Sequence, residues 1–136
     1  MKLIIVLLLV ISFSVVFASP ATKKHAQALE LFLKYQKSFF TVYSKAVESS
    51  TFNNVIKAKF MRELIAKKNN FESVFGKDVD EYNMKYKRMC LSAFLWTGSS
   101  FGSLYSWGLS NGKSYTAGFK SDYKQAEDAI KECKTQ

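Results

Sequence analysis

Proline occurs once, at Pro20, histidine once, at His25, and cysteine twice, at Cys90 and Cys133. Each scarcity excludes something. With no proline beyond residue 20, nothing later in the chain forbids a helix. Zinc sites need several His or Cys at set spacing, and there are none. A histidine-based triad needs an imidazole beside a nucleophile. His25 lies among lysines near the start of a helical pattern and reads as an exposed helix residue. No phosphate-cradling glycine loop of the Walker type occurs. Asp78, Asp80 and Glu81 lack the spacing of a calcium hand, and helix capping accounts for them. No repeat and no low-complexity linker is present. Beyond residue 18 no apolar run approaches the roughly 20 residues that a bilayer demands of a helix. The reading that follows is a non-enzymatic chain with no catalytic residue, no metal and no cofactor.

What is present begins with Met1-Lys2 and an apolar run from Leu3 to Phe17, broken only by Ser12 and Ser14. Val16-Phe17-Ala18 supplies small residues at the exit. A basic start, an apolar centre and a small-residue end describe a secretory signal over residues 1–18, cut after Ala18. The rest, residues 19–136, fits a single secreted helical domain. Export places Cys90 and Cys133 in an oxidising compartment, where an isolated pair bridges. Closing so long a loop would restrict the unfolded chain by about 4 kcal/mol.

Without Lys2 the chain carries 19 Lys and Arg against 11 Asp and Glu. That excess favours acidic partners: an extracellular protein surface, or a polyanion such as heparan sulfate. Secretion disfavours nucleic acid.

Apolar periodicity predicts four helices. The first spans about 21–48, with Ser19 as cap and Pro20 at its first position. Leu29, Phe32, Leu33, Phe40, Tyr43 and Val47 form its stripe, which Gln36 interrupts. The second spans about 52–69 behind a Ser50 or Thr51 cap, and Asn69-Asn70 and Gly76 mark its exit. Phe52, Ile56, Phe60 and Leu64 form its apolar track, which Val55, Met61 and Ile65 widen. The third starts at Asp78, where Asp78 and Glu81 have capping-box spacing, and ends near Gly98. The last spans about 123–134, capped by Asp122. Between them, 99–118 holds four of the six glycines. Its spacing fits a small-residue helix, and Asn111-Gly112 fits the turn of a short hairpin; both stand open. The fold class is all-α, an irregular bundle of about four helices with one disulfide.

Two candidate contact regions emerge. Lys57, Lys59, Arg62, Lys67 and Lys68 make the second helix the most basic stretch, a solvated face or a polyanion site. Tyr105 and Trp107 stand in the glycine-rich stretch, either as core or as anchors for a partner. An apolar pocket between helices, holding a lipid or other small ligand, is a further reading.

Two resemblances follow. Tyr82-Asn83-Met84-Lys85-Tyr86-Lys87-Arg88-Met89, followed by Leu91-Ser92, resembles the end of the prosegment that inhibits papain-like cysteine proteases. Tyr35-Gln36-Lys37-Ser38 lies in a similar layout. Cys90 stands where that family has an acidic residue. The resemblance implies a cysteine protease inhibitor. By layout, an export signal before a short helical domain with one disulfide is similar to small salivary proteins of blood-feeding insects, such as the anophensin type of mosquitoes. That resemblance implies an inhibitor or modulator of host haemostasis or complement factors. The expectation is a secreted binding protein that occludes a partner surface.

Overall fold

The computed structural model describes residues 18–136. The expected signal over residues 1–18 lies outside the described residues except for Ala18. Five helices appear in the described chain: α1 (Pro20–Glu48), α2 (Asn54–Phe75), α3 (Val79–Tyr86), α4 (Leu91–Leu109) and α5 (Thr116–Cys133). The all-α class holds, with one helix more than expected.

α1 begins as its sequence dictates. Ser19 Oγ accepts from the Thr22 N–H, and Pro20 occupies the first turn. α2 is capped by Asn53, whose Oδ1 accepts from Val55 and Ile56. It does not stop at Asn69-Asn70. Phe71 and Phe75 continue its buried stripe, and that burial outweighs two residues of low helix propensity. The helix ends at Gly76, whose φ of 107° is one that a side chain would strain. α3 opens on Asp78, which accepts from the Glu81 N–H, while Glu81 accepts from the Lys77 N–H.

The expected third helix is split in two. Lys87, Arg88 and Cys90 all take left-handed backbone angles, with φ of 49°, 65° and 54°. No glycine or proline announces this corner. α4 then runs straight through Gly98, so the glycine-rich stretch is helical as far as Leu109. Asn111-Gly112 does form a turn, but between helices. α5 starts at Thr116, earlier than expected. Asp122 is therefore no cap. It sits inside α5 and accepts from Ser99 Oγ at 3.0 Å and Ser103 Oγ at 2.6 Å, fastening α5 to α4.

α4 is the central helix and touches the other four. It carries no charged side chain, which suits a helix covered on most of its circumference. Its contacts divide the core into two aromatic nests. At one end Trp107 packs against Phe40, Phe52 and Phe60, with centroids 5.2–5.9 Å apart. Gly108 makes this possible: a Cβ there would lie 2.2 Å from Phe60 Cε1. At the other end Phe71, Phe75, Tyr82 and Phe94 stack together. Between the nests, Gln36 is fully buried. Its Nε2 donates to Thr97 O at 3.1 Å, and its Oε1 accepts from Ser100 Oγ at 2.5 Å. The residue that interrupts the α1 stripe is thus paired to α4, and it fixes the register of the two helices.

Candidate functional site

Cys90 and Cys133 are joined, with Cα atoms 5.3 Å apart and 43 residues of separation. The bridge ties the α3–α4 corner to the end of α5. Both residues are buried: Cys133 lies on the inner stripe of α5, and Cys90 lies in the corner before α4, not on a helix stripe as the periodicity predicted.

The five basic residues of α2 do not form one face. At about 100° per residue, Lys57 and Lys68 share one flank, Arg62 and Lys59 lie opposite, and Lys67 lies on the other flank. Their side chains are mostly committed within the chain. Lys57 Nζ donates to Leu109 O at 3.0 Å on the α4 side. Lys67 Nζ sits 4.0 Å over the Tyr35 ring on the α1 side. Lys59 and Lys68 pair with Glu63 and Glu72 at 4.0 and 3.4 Å. Among the described residues Arg62 alone of the five makes none of these contacts; Lys57 and Lys67, like it, form no ion pair. The stretch is basic in sequence but scattered and partly neutralised in space.

Tyr105 and Trp107 also part company. Two residues apart on a helix, they point about 200° from each other. Tyr105 is 37% exposed, whereas Trp107 is 2% exposed and belongs to the core. Trp107 therefore cannot be a surface anchor, and the expectation for it is corrected.

Tyr105 does have exposed neighbours that sequence reasoning passed over. Leu95, Gly98, Gly102, Tyr105 and Leu109 follow each other at intervals of three and four along α4. Leu95, Tyr105 and Leu109 are 45%, 37% and 51% exposed. A Cβ on Gly102 would meet nothing within 4 Å. The signal was present: a three-four spacing in a stretch without charge, hidden because the same pattern describes a buried stripe. At the Leu95 end this face opens into a cleft of about 320 Å³. Phe71, Phe94 and Phe101 wall it, with Lys68, Glu72, Lys77 and Asp78 at its polar edge.

His25 corrects a further expectation. It is buried, not exposed, and packs on the rings of Phe75, Tyr82 and Tyr86 at 4.4–5.7 Å. Its Nε2 lies 2.6 Å from the Tyr82 hydroxyl. That hydroxyl donates to Met89 O, so its oxygen accepts from the imidazole N–H. Burial lowers the His25 pKa from its usual value and raises that of Tyr82. The chain His25–Tyr82–Met89 O links α1 and α3 to the strained corner. It has no nucleophile beside it, and nothing in it forms a triad.

Among the described residues no three His, Cys, Asp or Glu side chains gather as a metal site. None of the described helices is long and apolar enough to cross a membrane. No protein-family model, curated protein or solved structure matches this chain.

Proposed function

We propose that this chain is a secreted, non-enzymatic binding protein that inhibits or modulates a host or extracellular protein by covering its surface. The observation that carries the reading is the outer face of α4: Leu95, Gly102, Tyr105 and Leu109, uncharged and exposed, with half-buried Gly98 among them. Interface centres are depleted in charge and rich in Tyr, and backbones without Cβ let a partner come close. The disulfide supports an oxidising destination. The excess of basic residues would steer an acidic partner toward the molecule. The scattered α2 cations add to that field at a distance. The layout resemblance nominates complement and contact-phase clotting factors as partners.

The test presents those factors one at a time to the immobilised mature protein. Gly102→Arg projects a charge from the middle of the face into open space and leaves the core alone. The variant should weaken binding by about 2 kcal/mol, roughly thirtyfold. The reading fails if no factor binds, or if Gly102→Arg binds as well as the parent.

A second reading has its own observation. The phenylalanine-walled cleft has the volume of a small ligand pocket and suits a carrier of an apolar molecule. Native mass spectrometry of freshly purified protein would show a retained ligand, and Gly98→Phe should displace it. For the protease-inhibitor alternative, the residues that carry the resemblance fold into α3 and its corner, with Tyr82 buried and Tyr86 bonded to Val74 O at 2.7 Å. Nothing in that arrangement favours it.

A further inference from the structure

A second lysine-rich surface lies along the seam between α1 and α5, far less obvious in sequence because its members come from opposite ends of the chain. Lys34, Lys37, Lys120 and Lys131 are all exposed and form no ion pair among the described residues. Lys124 and Lys134 extend the row but are held by Asp128 and Glu30 at 2.5 and 2.6 Å. Between the two helices runs a cleft of about 380 Å³ containing Phe40, Phe119, Tyr123 and the Thr41 hydroxyl. Lys37 Nζ and Lys120 Nζ each hang 5.9 Å over a ring of that floor, Tyr123 and Phe40. Glu127 is the only carboxylate lining this cleft.

We infer that this seam binds a linear sulfated polysaccharide. Lys37 and Lys120 flank an aromatic floor, and Lys34 and Lys131 line a smaller neighbouring cleft that Glu30 and Glu127 share, so sulfate groups can take charge-assisted bonds along the row while the C–H faces of sugar rings lie on Phe40 and Tyr123. From Lys120 to Lys131 the row extends about 16 Å along α5, which suits an extended chain and exceeds a single small anion. A membrane surface is the weaker fit. Of the side chains lining the seam clefts, only Val42 is a large apolar group that is exposed, so little is available to insert among headgroups. This inference does not rest on the α4 reading; Gly102→Arg should leave it intact.

Binding of size-defined heparin fragments, measured by calorimetry at several salt concentrations, tests it. The combined change Lys34→Ala, Lys37→Ala, Lys120→Ala, Lys131→Ala places alanine at exposed helix positions, where it is well tolerated. It should weaken binding at least about tenfold and flatten the salt dependence. The matched control Lys57→Ala, Lys59→Ala, Lys67→Ala, Lys68→Ala removes the same charge from α2 and should change affinity less than about threefold. Circular dichroism checks that both variants keep their helices. Equal losses in the two variants would mean net charge alone is read, and would overturn the proposal. So would binding to vesicles of anionic lipid with no binding to heparin fragments.

Discussion

The two aromatic nests use similar residues and are built differently. The Trp107 nest is dry and self-complementary: rings of Phe40, Phe52 and Phe60 close on an indole, and Gly108 leaves room for one of them. The Tyr82 nest carries polar groups inside it. His25 and Tyr82 are hydrogen-bonded within the stack, three left-handed residues turn the chain beside it, and a disulfide holds that turn to α5. The first nest is stabilised by close packing alone. The second depends on a hydrogen bond, a covalent link and the protonation state of one ring. The difference teaches where the fold should yield to mutation and where it should yield to conditions.

The sharpest break of the comparison is Trp107→Ala. It empties the centre of the dry nest and should cost about 3–5 kcal/mol in urea unfolding, independent of pH and reductant. Removing the covalent link from the other nest, as Cys90→Ala with Cys133→Ala, should cost about 2–4 kcal/mol. Dithiothreitol should reproduce that loss in the parent and leave the variant unchanged. Hydrogen exchange should rise first in α3 and at the end of α5, not around Trp107. If reduction loosened both nests alike, they would not be separate. Gly108→Ala is next in size. Its Cβ overlaps Phe60, which is ringed by other aromatics and cannot retreat freely, so about 1–3 kcal/mol should be lost.

The same contrast explains what the sequence disclosed. The dry nest was legible in part: helical spacing places Phe40 and Phe60 inward and nothing special is asked of the backbone, but Trp107 at its centre was expected among the partner contacts. The disulfide was legible because only two cysteines exist. The Tyr82 nest was not. Its corner at Lys87–Cys90 uses left-handed angles on residues that carry no such preference, so one helix was expected where two exist. His25 stood among lysines and read as exposed, since only tertiary contact with α2 and α3 reveals its burial. The candidate surfaces suffered in the same way. Five cations close in sequence on α2 looked like a face, yet a helix disperses neighbours. Lys37 and Lys120, remote in sequence, share a cleft.

The smallest expected effect separates the nests by acidity. Burial holds the His25 pKa below 6.5, so the folded state keeps the ring neutral where the unfolded chain would protonate it. The unfolded state then binds more protons, and stability rises with pH across that interval. Stability from this group is therefore complete above about pH 6.5 and declines as the pH falls through that value, levelling off below the folded pKa. The onset of this decline near pH 6.5 lies above the carboxylate range, where ordinary acid unfolding does not obscure it. Among the described residues no carboxylate bonds to the ring, and its hydrogen bond runs to a neutral hydroxyl, so nothing nearby offsets the buried charge. His25→Gln can still donate a side-chain N–H and does not titrate. Urea midpoints measured from pH 7.5 to 5 should slope downward in the parent and lie flat in the variant. α3 amides in the parent should exchange faster as the midpoint falls, once intrinsic exchange rates are corrected. The Trp107 nest has no group that titrates in this interval, and amides around Trp107 should keep their protection until global unfolding. A parent midpoint that is level across the interval would mean that the imidazole is solvated in both states, and the polar nest would then be no more sensitive to acid than the dry one.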